Sequence, residues 1–371
     1  MNELVEKTER LLRMLRDEKL GGVLINSQHN FAWLTGGKNN GVDLSRENGV
    51  SSLLIRNDGK RFLIANQIEM PRMVAEEISE NDFEPIEFDW EADKINGTFV
   101  LELAQTLIEK NINLASDIFY SPNFRVIEGS ISKCRYQLTN EEIERFKKLG
   151  KDAGEVLGHI YSKIEVGQSE IEIGNIVKFE LGRRGINSVV TLVAADERIN
   201  NFRHPIPTEN VWKKVLMIVV CAKRDGLIAS LSRIFCVGAI SDKLRKRTDA
   251  VAKVHAQMMH STRPNAIGEN IFEITQKAYT DAGFPNEETK HHQGGACSYK
   301  TRDWVAHSQS KEQVNINQAF AWNPSITGTK SEETILVNEN QTEIITSSPN
   351  FPTISNVIDG IEYLTPDIYI L

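Results

Sequence analysis

Polar and aromatic side chains able to do chemistry crowd into one late stretch, His291-His292-Gln293-Gly294-Gly295-Ala296-Cys297-Ser298-Tyr299-Lys300-Thr301-Arg302-Asp303-Trp304. It is too polar for a core strand and too aromatic for a linker, so it is expected to form the wall of a site. Glycine lets backbone approach a ligand closely, and the arginine fork matches a carboxylate. Asn201-Phe202-Arg203-His204-Pro205-Ile206-Pro207 adds a histidine held by prolines in a non-helical segment. A positioned imidazole is the usual general acid or base near neutral pH. A hydroxyl-rich loop from Asn323 to Thr334 ends in the paired acids Glu332 and Glu333, and Ser230 and Ser232 share one face of an apolar strand. Each cluster alone has a plainer explanation: a surface histidine, a loop that satisfies its own backbone, or ordinary cross-strand hydroxyls.

The elements that must position these groups fall into two sets. Apolar Val5, Leu11, Leu12 and Leu15 predict a helix from about 3 to 19, ended by Gly21-Gly22. Strands follow at Val23 to Ile25 and, around an Asn57-Asp58-Gly59-Lys60 turn, at 51–56 and 61–64. Helical patterns near 68–80 and 97–110 alternate with them, so the first third is α/β. Thr139-Asn140-Glu141-Glu142 is a capping box that opens a long helix and a new unit. Helices near 169–184, 241–262 and 267–282 are interleaved with strands at 188–195, 215–222 and 227–237. Strands at 314–322, 332–337 and 342–346 close the pattern of a mostly antiparallel α+β domain.

Composition narrows the function classes. A chain of 371 residues with 40% apolar and 25% charged residues suits two globular domains. Forty-three basic against fifty-one acidic side chains give a net charge of -8 with no basic block, which argues against nucleic acid. The apolar run from Val215 to Ala222 is far shorter than the roughly 20 residues of a membrane span. The first residues lack a basic segment followed by an apolar one. No membrane partner and a cytoplasmic location are expected. Cys134, Cys221, Cys236 and Cys297 have no paired spacing, so neither a disulfide framework nor a zinc knuckle is expected.

Taken in order, these features resemble the creatinase, prolidase and aminopeptidase P superfamily. Asn30-Phe31-Ala32-Trp33-Leu34-Thr35-Gly36 is similar to that family's amino-terminal Asn-x-x-Tyr-Leu-Thr-Gly, and His204 to the histidine ahead of its first metal ligand. The resemblance implies an α+β fold: a pita-bread catalytic domain over 137–371, preceded by an α/β creatinase-type amino-terminal domain over 1–136. The metallopeptidases of the superfamily hold two metals with two aspartates, a histidine and two glutamates. The register places Val219, Ser230, Gly295, Asn323 and Glu332 at those positions. Hard divalent ions need several anionic oxygens, and a metal pair about 4 Å apart needs bridging carboxylates. With Glu332 the sole carboxylate of the five, no metal and no cofactor is expected.

Creatinase cleaves a carbon–nitrogen bond on this fold with a histidine and no metal, and the resemblance implies compatible roles here. His204 would be the general acid/base and Glu332 would face the pocket to meet a cationic group. Arg302, where the peptidases have a second characteristic histidine, would grip a carboxylate through two parallel hydrogen bonds. Tyr299, Asn323 and Ser230 would supply neutral hydrogen bonds. Gly294-Gly295 would mark a vacated metal position with space for substrate, and His292 would line the wall. The expected activity is metal-independent hydrolysis of a C–N bond in a small zwitterion bearing a guanidino, amidino or amide group. The alternatives are a non-catalytic pita-bread binding protein and an Xaa-Pro peptidase with a residual metal site. A homodimer is expected, with Trp33 and Asn39-Asn40 either reaching the neighbouring site or, for Trp33, filling the core.

Overall fold

The computed structural model describes residues 2–109 and 113–371. Two compact units divide the chain, Met1–Arg135 and Tyr136–Leu371.

The first unit opens with the helix Glu3–Asp17, whose start is capped by the Asn2 side chain accepting from the Leu4 amide at 2.9 Å. It ends earlier than expected. Lys19 takes a left-handed turn (φ 55°) and the Leu20 amide reaches back to Leu15, while Gly22 begins the strand Gly22–Ser27. That strand pairs antiparallel with Asn48–Arg56, which pairs in turn with Arg61–Asn66. Short parallel edges, Leu114–Ser116 and Glu84–Phe88, complete five strands. The helix expected near 97–110 runs from Phe99 to Thr106, and residue 110 lies outside the described residues.

The Asn30 motif locks this unit together internally. Asn30 Nδ2 donates to buried Asp117 at 3.0 Å and to Glu128 at 2.6 Å, while Arg135 donates to Asn30 Oδ1 and lies 3.1 Å from Glu128. Trp33 is fully buried, with its carbonyl accepting from Lys7 Nζ at 2.5 Å. Asn40 is buried too, spent on the carbonyls of Asn26 and Ser51. Trp33 therefore fills the core, and of the residues expected to reach a neighbour only Asn39 is exposed.

Burial alone would raise the Glu128 carboxyl, but His29 and Arg135 overcome it and hold the group at about 2. A depressed pKa contributes stability above the unfolded value and loses it as pH falls toward the folded one. Between about pH 5 and pH 3 the wild type should lose roughly 2 kcal/mol that Glu128→Gln does not lose. Hydrogen-exchange protection of the Val23 to Ile25 amides, corrected for intrinsic rates, reads this difference. Equal pH dependence in both proteins would refute it.

In the second unit the capping box forms as expected: the Thr139 amide donates to Glu142 at 2.7 Å and the Glu142 amide to Thr139 Oγ1 at 3.2 Å. Two sheets follow. One is four-stranded, with Asn187–Ala195, Val215–Arg224 and Leu227–Cys236 antiparallel and Ile368–Ile370 parallel at its edge. Asp225 and Gly226, at φ 50° and 77°, make the tight hairpin between the long strands. The other sheet is antiparallel, in the order Trp304–Val305, Gly294–Cys297, Ala319–Trp322, Glu333–Val337, Thr342–Ile344. The helices Asp242–Ser261 and Gly268–Asp281 cover it with Val251, Val254, Met258, Ile271 and Tyr279 packed on Phe320 and Trp322.

Gly294–Cys297 is thus a buried inner strand, second of the five, although its neighbours in sequence suggested otherwise. The polar residues that made the stretch look unlike a strand lie on either side of these four small ones. The sheets are stitched along Leu227–Cys236: Thr334 Oγ1 accepts from the Ser230 amide at 2.8 Å and donates to the Ser230 carbonyl at 2.9 Å, and the Ser232 amide donates to the Glu332 carbonyl at 3.1 Å. Arg233 and Glu333, both buried, add an ion pair at 2.8 Å.

Candidate active site

The seam between the two sheets carries a cluster of three imidazoles and three charged groups. His204 follows the single turn Arg198–Asn201 and is exposed. Its loop is anchored by Arg203, which donates to Glu287 at 2.6 Å and to Thr327 Oγ1 at 3.1 Å. Glu287 also accepts from the Thr327 amide at 2.9 Å and from Lys290 at 2.7 Å. Three segments distant in sequence, at 203, 287–290 and 327, are tied together by that one carboxylate. Burial would raise it, but Lys290, Thr327 and Arg203 hold it down at about 2.

His291 sits against His204 with the two Nε2 atoms 2.9 Å apart, and the His292 ring is 4.3 Å from that of His291. His291 Nδ1 faces the His292 carbonyl, which can only accept, so Nδ1 carries the proton and Nε2 a lone pair. His204 Nε2–H must then be the donor between the rings, which leaves the lone pair of His204 on Nδ1. Partial burial, followed by Lys330 and the other imidazoles, keeps His291 at about 2. Partial burial, Arg302 and Lys330 keep His292 at about 4. Burial and Lys330 also lower His204, against a pull upward from Glu332. At neutral pH all three rings are uncharged bases.

Glu332 is buried and differs from its expected role. Its two oxygens are taken by Lys330 at 2.9 Å and by Arg302 at 3.4 Å. Burial would raise its pKa, but Lys330 and Arg302 together hold it below the usual carboxylate value. The acid and the arginine are therefore partners rather than opposite ends of a cleft, and the three charges leave one net positive. His255, buried beneath on the helix Asp242–Ser261, shares a proton with Ser331 Oγ at 2.7 Å.

Ser230 and Gly294-Gly295 also stand differently from expectation. The Ser230 hydroxyl points at Cys221 Sγ, 3.3 Å away, as an ordinary cross-strand contact. Tyr299 is buried just after the strand Gly294–Cys297, and the backbone amide of Asn323, itself buried, donates to the Gln293 carbonyl at 3.0 Å. Gly294-Gly295 offers no vacated space. A Cβ on Gly295 would lie 2.0 Å from the Trp304 carbonyl oxygen, and one on Gly294 2.2 Å from that of Ala321. Gly295→Ala should therefore cost about 3 kcal/mol in urea denaturation, whereas Gly182→Ala, with nothing within 4 Å of its new methyl, serves as the neutral control. An unchanged midpoint for Gly295→Ala would refute this packing. Cys297 is equally unsuited to nucleophilic work, since burial pushes its thiol up to about 12.

A cavity of about 10 Å³ lies behind His291 and Lys330, room for one water. A roomier one of about 500 Å³, lined by Lys253, Gln257 and Lys277, contains none of the imidazoles. His204 and His292 stand at the exposed rim of this cluster.

Comparison with known proteins identifies the frame. Residues 144–339, more than half of the chain, match the metallopeptidase family M24, and residues 7–119 match the creatinase/prolidase N-terminal domain. The chain belongs to family M24. This M24 member has the creatinase-type amino-terminal domain and pita-bread domain that its motifs implied, and by family it is a hydrolytic, peptidase-like enzyme. An uncharacterised peptidase of Staphylococcus saprophyticus is 21% identical over 92% of this chain and 99% of its own length. An Xaa-Pro dipeptidase of Pyrococcus furiosus is 20% identical over 61% of this chain and 67% of its own length. Among solved structures, an Xaa-Pro dipeptidase from Bacillus anthracis superposes with a TM-score of 0.77 at 20% identity, covering 99% of this chain and all of that one. The same fold recurs in the amino-terminal domain of a FACT complex subunit from chickpea, with a TM-score of 0.70 at 11% identity over 93% of this chain and 96% of that one. Among the described residues no helix is long and apolar enough to cross a membrane.

The metal pair implied by the family does not fit this M24 member. Val219 packs in an apolar cluster with Leu192, Met217 and Ile234. Ser230 is spent on Cys221, the strand around Gly295 leaves no room for a ligating side chain, and Glu332 is held by two cations. Four neutral or absent ligands and one neutralised carboxylate cannot balance two dications.

Sequence reasoning placed His291 in the site wall but missed its contact with His204, together with Lys330 and the Arg203–Glu287 clamp. His291 adjoins His292 in the stretch first singled out, and Lys330 lies in the hydroxyl-rich loop. Nothing local separated them from solvent-facing neighbours.

Proposed function

We propose that the protein hydrolyses a C–N bond of a small amino-acid-like substrate, guanidino, amidino or amide, without a metal, using His204 as general acid and base. The observation that carries this reading is the 2.9 Å contact between His204 and His291, which orients an uncharged imidazole at an exposed rim beside Lys330 and Arg302. His204 Nδ1 takes a proton from water as the water oxygen bonds to the substrate carbon. The resulting imidazolium, stabilised by Glu332, gives that proton to the nitrogen as the C–N bond breaks. The net positive charge of Lys330, Arg302 and Glu332 favours the substrate's carboxylate, so a zwitterion would bind acid end inward. Glu332 then serves as counter-ion to the two cations and to the transient imidazolium. The active form is a homodimer, which sedimentation would check, working in the cytoplasm.

The test is turnover in excess chelator on a panel of guanidino acids, amidines and amides, with Xaa-Pro peptides included. Chelator-insensitive cleavage of at least one non-peptide member is expected. Cleavage confined to Xaa-Pro peptides and abolished by chelator would overturn the reading.

A further inference from the structure

The three imidazoles that flank the seam have a property that general acid–base chemistry does not require. His204, His291 and His292 each present a ring nitrogen such that all three nitrogens lie within 4.8 Å of one another. None of them stands at a position where the family's register places a metal ligand. We propose that His204, His291 and His292 form a binding site for one late first-row divalent ion, such as zinc, separate from the family's two-metal position.

Local geometry supports this. His291 is already prepared as a ligand, because its Nδ1–H is held by the His292 carbonyl, and a backbone carbonyl on the distal nitrogen is the usual way a metal-binding imidazole is oriented. His204 Nε2 is 2.9 Å from His291 Nε2. Two nitrogens on one tetrahedral zinc stand about 3.3 Å apart, so the pair needs to open by only a few tenths of an ångström. The ion would replace the proton between the rings, and the His204 proton would move from Nε2 to Nδ1.

The charges nearby select the kind of ion. Lys330 and Arg302 oppose any cation, and Glu332 offsets only one of them. An ion held by charge alone, calcium or magnesium, is therefore excluded, while one held by nitrogen donation is favoured. Three ligands leave a coordination position open toward solvent, because His204 and His292 are exposed.

The consequence for catalysis rests on the proposed function: an ion on His204 would occupy the general base and switch hydrolysis off. The experiment separates the two ideas. Chelator-stripped full-length protein is titrated with cobalt(II), followed by its visible absorption, and the cobalt is then displaced with zinc. One ion per chain is expected. His291→Ala and His292→Ala should each weaken binding by more than the roughly 10- to 100-fold that loss of an outer-shell partner costs, with circular dichroism unchanged, while the exposed His159→Ala binds as the wild type does. Absence of stoichiometric binding, or binding equal in all four proteins, would overturn the site. Zinc that binds yet leaves turnover intact would uphold the site and remove His204 from the role of base.

Discussion

His204→Ala is expected to lower turnover by roughly 10²- to 10⁴-fold, the usual contribution of a positioned general acid–base, while KM changes little. The split follows from the layout. Binding of the substrate carboxylate is assigned to Lys330 and Arg302, whereas His204 acts only as protons move. The short contact to His291 holds the His204 ring with its Nδ1 lone pair outward, so removing the ring removes both base and acid at once. Arg203→Lys offers the contrasting case: it loosens the anchor to Glu287 and Thr327 but leaves the imidazole present. Steady-state kinetics in excess chelator on the best substrate of the panel reads both. A His204→Ala enzyme within twofold of wild type would remove His204 from the chemistry.

Lys330→Met should cost about 3 kcal/mol in urea denaturation, the low end of what breaking a buried ion pair does. Glu332 has nearly no access to water, and Lys330 is the nearer of its two partners. Without the ammonium, Arg302 at 3.4 Å is left as the remaining cation on a desolvated carboxylate. Lys330→Met combined with Glu332→Gln should recover most of the loss, because a neutral buried amide needs no counter-ion. Additive destabilisation in the double variant would show that the loss comes from packing rather than from an unpaired charge.

Much of the frame was legible along the chain. The Thr139 to Glu142 box and the helical periodicities at 241–262 and 267–282 depend on neighbours a few residues apart, and these formed as expected. The substitutions at the family's ligand positions could also be read directly, because whether Val219 or Ser230 carries a carboxylate is a matter of identity, not geometry. Other features were out of reach. Gly294–Cys297 looked like a site wall because its flanks are polar, and only the sheet reveals that carbonyls of Trp304 and Ala321 press on both glycines. The strand Thr353–Ile358 alternates between exposed and half-buried residues, and its partner Ile361–Pro366 buries only Tyr363 and Thr365, so their pattern carried little hydrophobic contrast.

By itself, then, the sequence determined the two-domain frame, the loss of the family's metal ligands and the presence of His204, Arg302 and Glu332. Only the tertiary structure decided how those groups spend their chemistry. Pairing of Glu332 with Arg302, and of His204 with His291, joins residues 30 and 87 positions apart. Such contacts depend on which loops the two sheets bring to one seam, and no periodicity or short motif encodes that distance.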